Sequence, residues 1–209
     1  MSIRAEVSEL LAHREGHFRF ESGHHGSPWL DLERLCLDPA KVESLAGALA
    51  EKLAPYISGS ECAHPDRPPL ICGPLVEGAF VALAVARRLG VRFTYSTPTE
   101  RARLEGSTGD LYPVEYPIPA PLHSVLRGGR VIVVNDVINA GSAVRGTLAS
   151  LRALGAEPVA IGTLATLGGL PQKLAGAEGL PLLSLAAFEV EIYEPADCRW
   201  CAAGVPLDE

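Results

Sequence analysis

Residues 130–137 read Arg-Val-Ile-Val-Val-Asn-Asp-Val, and this run of four apolar residues ending in a polar pair constrains the fold more than any other feature. Side chains of a strand point alternately to its two faces, so residues 131–134 put apolar groups on both. A strand of that kind must be covered above and below, which is the condition of a parallel sheet flanked by helices. "PLICG" at 69–73, "VRFTYS" at 91–96, "EPVAIGTLATL" at 157–167 and "LPLLSLAAF" at 180–188 read as further strands. Between them the spacing predicts helices over 40–54, with Asp38 as N-cap and Pro39 in the first position, over 77–89 closed by Gly90, and over 142–154 closed by Gly155. A short helix over 4–14, carrying Val7, Leu10 and Leu11, opens the chain, and "HFRFESGHHGSPWLDL" at 17–32 gives two short strands around a Gly-rich turn. Alternating strands and helices define an α/β class, and 209 residues suit a single domain over 1–209.

Charge and cysteine content narrow the function. With 18 Lys and Arg against 25 Asp and Glu, the net charge is -7, whereas nucleic-acid binding needs clustered cations; no nucleic-acid partner is expected. No stretch of about 18 apolar residues suggests a membrane span, and the charged N-terminus lacks a signal core, so a soluble, cytoplasmic protein is expected with no membrane partner. Five scattered cysteines predict reduced thiols. Cys198 and Cys201, in "CRWC", have the spacing of a metal or redox pair. Zinc there would need two more ligands, for which distant residues such as His24 and His25 are candidates; an ordinary C-terminal turn is the alternative. His17, His24 and His25 otherwise read as surface or structural residues.

In open parallel sheets, ligands bind beyond the carboxyl ends of the strands. "ICGPLVEGAF" runs from a strand through a Gly-Pro turn to a helix, a geometry that can turn backbone N–H groups toward an anion. Residues 131–143 carry the sharper signal. The strand ends in Asn135 and Asp136, which can hydrogen-bond adjacent hydroxyls, and "NAGSA" at 139–143 opens a helix whose first amides lack partners. A phosphorylated sugar satisfies both.

"VIVVNDVINAGSA" resembles the 5-phosphoribosyl-1-pyrophosphate (PRPP) signature of the type I phosphoribosyltransferases: four apolar residues, two acids, two apolar residues, then Thr-x-Gly-Thr or a near variant. "GHFRFESGHHGSPW" is similar to the Gly-x-Phe-x-Leu-x-Ser-Gly segment of the orotate enzymes, "GPLVEGAFVALAVARRLGVRFTY" to their pyrophosphate-loop strand and helix, and "CRWCAAGVPL" to the Cys-x-x-Cys tail of a bacterial subgroup. The resemblance implies the type I fold, a parallel sheet flanked by helices with a small hood from about 1–35 and the C-terminal segment. It implies a glycosyltransferase of pyrimidine nucleotide synthesis, in which a base, orotate favoured, displaces pyrophosphate from PRPP with Mg²⁺ present, and it implies a homodimer. Carried over by position, Asp136 and Asn135 are catalytic and hold the ribose, with Asp136 a minor Mg²⁺ ligand. Asn139, Ala140, Gly141, Ser142 and Ala143 bind the 5-phosphate, Gly73, Pro74, Gly78, Arg101 and Arg103 the pyrophosphate, and Arg145 the base.

Four departures from that pattern stand out. Asn135 replaces the first acid and brings no charge to offset a cationic transition state. Asn139 replaces a Thr of the phosphate loop. Residues 97–110 read as a mobile loop, and 97–113 contain no Lys, leaving Arg101 and Arg103 as the cations in place of the family's lysine. Glu21 stands near a position that is Lys in some orotate enzymes. Two alternatives therefore remain beside an orotate enzyme: a non-catalytic PRPP- or nucleotide-binding regulator, and transfer to another base.

Overall fold

The computed structural model describes residues 2–11, 13–58, 69–100 and 114–208. The opening helix α1 (Ile3–Leu10) is capped by Ser2, whose hydroxyl accepts from Ala5 N at 3.3 Å. It stops short of residue 14 because the next residues are drawn into extended pairing: β1 (His13–Arg14) lies antiparallel to β4 (Trp29–Leu30). Between them come β2 (Phe18–Arg19) and β3 (His25–Ser27), so the N-terminal segment holds four short strands where two were expected.

The expected Asp38 cap forms, with Lys41 N donating to Asp38 Oδ1 at 3.3 Å, and α2 (Pro39–Ser58) starts on Pro39. It continues past Pro55 because Ile57, beyond the proline, still packs into the core with Leu49 and Leu53. Next come β5 (Leu70–Pro74), α3 (Glu77–Leu89), β6 (Phe93–Ser96) and the paired β7 (Thr99–Glu100) and β8 (Val114–Glu115). The second half runs through α4 (His123–Leu126), β9 (Arg130–Ile138), α5 (Ser142–Ala153), β10 (Glu157–Leu167), α6 (Leu170–Glu178) and β11 (Leu182–Phe188). It ends in β12 (Glu191–Tyr193) and α7 (Arg199–Ala202).

Five strands form one parallel sheet in the order β11-β10-β9-β5-β6. The β9 apolar run alternates as its sequence requires. Ile132 and Val134 join Leu45, Leu49, Leu53, Val81 and Val85 on the α2 and α3 side, whereas Val131 and Val133 join Leu126, Leu148, Leu151 and Leu174 on the other. All four are fully buried, which stabilises the fold by roughly 1.5–3 kcal/mol per side chain relative to exposure.

Above the sheet, β12 from the C-terminal segment adds to the N-terminal strands in the antiparallel order β12-β3-β2. This is the hood that the resemblance implies. The tail closes it: His17 N donates to Asp208 Oδ2 at 2.8 Å and Asp208 N to His17 O at 2.7 Å. Among the described residues no helix is long and apolar enough to cross a membrane.

Candidate active site

From β5 the chain moves outward to β6 on one side, and from β9 through β10 to β11 on the other. The reversal lies between β5 and β9, and a crevice opens at the carboxyl ends of strands at such a point. A cleft of about 230 Å³ occupies it, floored by residues 74–78 at the end of β5 and 135–143 at the end of β9 and beyond, and roofed by Phe20, Glu21, Trp29 and Tyr116.

The polar pair does not follow its strand, as the sequence suggested, but lies inside it, because β9 continues pairing with β10 as far as Ile138. Both residues are therefore almost wholly buried. Asn135 Nδ2 donates to Val137 O at 2.8 Å, and its Oδ1 lies where a Cβ on Gly78 would stand, so only glycine lets α3 begin so close to β9. Burial, reinforced by the charges of Glu77 and Glu21 and opposed by the Val137 amide, pushes the Asp136 carboxyl up to about 7. Among the described residues, the charges acting most on this acid are thus the carboxylates Glu77 and Glu21.

The turn after β9 ends on Gly141, whose φ of 83° is a left-handed conformation that suits glycine. Asn139, Ala140, Gly141, Ser142 and Ala143 all line the cleft. Among the described residues Asn139 Oδ1 is buried with no hydrogen-bond partner, and turning the amide over would present Nδ2 as a donor. Ser142 Oγ donates to Glu21 Oε2 at 2.9 Å, and the Tyr116 hydroxyl donates to Glu21 Oε1. Burial first, then that bond, raises the Tyr116 pKa and keeps the phenol protonated. Tyr116 was invisible to sequence reasoning, since nothing around 114–118 forms a motif.

Pro74 and Gly78 line the cleft together with Glu77, at the start of α3. Gly73 does not. It lies beneath the helix, where a Cβ would meet Ala82 and Ala79, so its place is a packing contact. Arg145, one helical turn into α5, is also outside the lining and sits near the hood, where its charge and, more strongly, burial lower the His24 pKa against the opposing pull of Glu194. Arg101 and Arg103 lie outside the described residues, as does most of the Lys-free 97–113 segment.

A parallel sheet whose switch-point crevice joins an acid-bearing strand end to a glycine-initiated helix, under a hood from both chain ends, is the architecture of the type I phosphoribosyltransferases. Residues 43–177 match the phosphoribosyl transferase domain family, well over half of the chain, and the chain belongs to that family of glycosyltransferases. It is 32% identical to orotate phosphoribosyltransferase 2 of Mesorhizobium japonicum over 197 residues, covering 93% of this chain and 86% of that one. The fold superposes on orotate phosphoribosyltransferase from Aeropyrum pernix with a TM-score of 0.59, at 23% identity over 89% of this chain and 93% of that one. On adenine phosphoribosyltransferase from Trypanosoma brucei the TM-score is 0.64, at 15% identity over 88% and 79%.

Proposed function

We propose that the chain transfers the phosphoribosyl group of PRPP to a nucleobase, with orotate the favoured base. A ring nitrogen of the base, its proton given up to solvent, forms a bond to C1 of the ribose as the C1–oxygen bond to pyrophosphate breaks, and pyrophosphate leaves with the bonding pair. The observation that carries this reading is the meeting, in one cleft, of the Asn135 and Asp136 strand end with the phosphate loop at 139–143. Orotate is favoured because the relative with 32% identity carries that name.

The loop and the first amides of α5 hold the 5-phosphate. Asp136, with the backbone around Asn135, orients the ribose hydroxyls, and residues 74–78 face the pyrophosphate with Arg101 and Arg103 as the added cations. Phe20 and Trp29, with rings stacked at 6.3 Å, and Arg145 on the hood side frame the base. The cleft's donor set is hard oxygen, and an acid whose pKa is raised by burial first, and further by the charges of Glu77 and Glu21, is one that a divalent cation relieves. Asp136 and Glu77 therefore fit Mg²⁺, which when bound supplies positive charge for the leaving pyrophosphate. The single domain works as a cytoplasmic homodimer.

Glu21 favours a second reading. A carboxylate at the roof repels an anionic base but accepts from an amino group, so a base with a donor edge is the alternative substrate. Pyrophosphate release from PRPP and Mg²⁺ is measured with orotate, uracil, cytosine, adenine and guanine in parallel. Release with orotate alone supports the first reading, and release with an amino-bearing base alone supports the second. PRPP that raises the melting temperature with no release from any base overturns both in favour of a binding protein.

A further inference from the structure

The "CRWC" turn meets two histidines, and His24 is not one of them. Cys198 Sγ lies 3.3 Å from His17 Nε2, and Cys201 Sγ lies 3.2 Å from His25 Nδ1 and 3.7 Å from His17 Nε2. The two ring nitrogens are 3.2 Å apart. All four atoms fall within 4.8 Å of one another. Adjacent residues of an extended chain point opposite ways, so His25 faces this cluster while His24 Nδ1 turns to Ser22 Oγ at 3.0 Å.

We propose that His17 Nε2, His25 Nδ1, Cys198 Sγ and Cys201 Sγ form a tetrahedral zinc site that clasps the C-terminal tail to the N-terminal hairpin. The spacing is that of a coordination shell. Zinc bonds of about 2.0–2.1 Å to nitrogen and 2.3 Å to sulfur give a tetrahedron with edges of roughly 3.3–3.8 Å; four of the six ligand-atom separations, at 3.2, 3.2, 3.3 and 3.7 Å, are close to these edges, and all six lie within 4.8 Å. Two thiolates and two neutral imidazoles balance the ion's two charges, the arrangement a buried cation requires; three of the four residues are buried.

The surroundings fix the ligand orientation. His17 Nδ1 lies 2.9 Å from Val205 O and 3.1 Å from Pro206 O. Carbonyls only accept, so Nδ1 carries the proton, and in the neutral ring the Nε2 lone pair points into the cluster. Trp200, between the two cysteines, stacks on the His17 ring at 5.5 Å, and Tyr193 of β12 meets Trp200 edge-on at 5.7 Å. Aromatic rings thus wall one side of the site, and the 205–208 backbone supports it.

The site stands apart from the cleft and from the proposed reaction, yet it sits on the same hairpin. His17 and His25 flank residues 20–22, which line the cleft roof. A metal holding the hairpin's base to the tail fixes where that roof hangs, and the inference holds whatever base is transferred.

The test uses the full chain, without a polyhistidine tag and purified with a reductant, assayed for metal by elemental mass spectrometry. About one zinc per chain is expected, falling at least about tenfold in Cys198→Ser and His25→Gln, with Cys36→Ser, outside the quartet, unchanged. Cys198 is buried and its variant can lose metal by unfolding, so Cys201→Ser, at an exposed position, provides the same readout with circular dichroism as a check on folding. Adding Co²⁺ to metal-free chain reads the geometry directly: intense visible bands and thiolate-to-metal charge transfer mark a tetrahedral sulfur-containing site. Substoichiometric zinc with no Co²⁺ bands, as a thiol–imidazole hydrogen-bond network would give, overturns the proposal. So does a Cys198–Cys201 disulfide whose reduced form takes up neither ion.

Discussion

Glu21 Oε2 accepts a 2.9 Å hydrogen bond from the hydroxyl of Ser142, so a carboxylate from the hood is tied to the first residue of the phosphate-loop helix. A carboxylate is a partial mimic of a phosphate, and both compete for the same donor at a positive helix start. With the 5-phosphate placed as proposed, PRPP breaks that bond and brings a like charge beside Glu21. Glu21→Gln keeps the shape and removes the charge. It is expected to lower the PRPP KM about three- to tenfold, by an electrostatic relief of about 1 kcal/mol, and to enlarge the melting-temperature rise given by PRPP. An unchanged or raised KM would show that Glu21 swings clear of the bound phosphate.

The raised pKa of Asp136 makes stability depend on pH in a definite direction. Its carboxyl titrates at about 7 in the fold against 3.8 as the ordinary value, so the native state binds the proton more tightly than the unfolded state. Stability from this group is fully present below pH 3.8, declines as pH rises toward 7 and is lost above it. Asp136→Asn removes the ionisation. The variant should be more stable than the parent at pH 8, by about 1–3 kcal/mol, with the gap closing toward pH 5. Denaturant unfolding at both pH values measures it, and a gap independent of pH would refute a titrating Asp136. Loss of catalysis in the same variant would separate stability from function at this position.

The sheet was legible because β-branched runs such as 131–134 admit few other environments, and α3 and α5 because glycine closes or precedes them. Helix α6 was missed: its buried Pro171, Leu174 and Ala175 are thinly spread in a Gly- and Pro-rich segment and leave little periodicity to read. Within the cleft, residues 135–143 were legible as a contiguous motif. Tyr116 and the placement of Gly73 beneath α3 were not, because they depend on which elements meet. The zinc quartet is the extreme case. Its Cys-x-x-Cys half was visible, but His17 lies 181 residues from Cys198, and choosing His25 over His24 required the facing of a single strand.

Among the described residues, the start of helix α3 carries an apolar face that suits the proposed homodimer. Val76, Phe80 and Leu83 recur at helical spacing on one face, each about half exposed, with Leu37 exposed as well. Val76 also lines the cleft, so a second copy docked here would border the pyrophosphate side of the site. Phe80→Glu introduces a charge into that face. Sedimentation should give twice 22.1 kDa for the parent and 22.1 kDa for the variant; a parent that sediments as a monomer removes the dimer.

Asn135 stands where the family's signature has an acid, and restoring the acid is the direct test of whether this site has decayed. The Asn135 amide is tied into its own strand. Asn135 Nδ2 is the donor to Val137 O at 2.8 Å, a bond an ionised carboxylate cannot make, and an acceptor left facing that carbonyl in a buried strand costs about 1–3 kcal/mol. The new carboxylate would also lie beside Asp136, already raised by burial and by Glu77 and Glu21, and push it higher. Asn135→Asp is therefore expected to be less stable than the parent by about 1–3 kcal/mol at pH 8. The deficit should shrink toward pH 5, where the introduced carboxyl, once protonated, can donate to the carbonyl as the amide does. Turnover should not rise, because a site built around the amide loses its alignment when the amide is replaced. Unfolding curves at the two pH values, with pyrophosphate release under saturating PRPP, decide the matter: a tenfold gain in kcat with stability intact would mean that Asn135 marks lost catalysis.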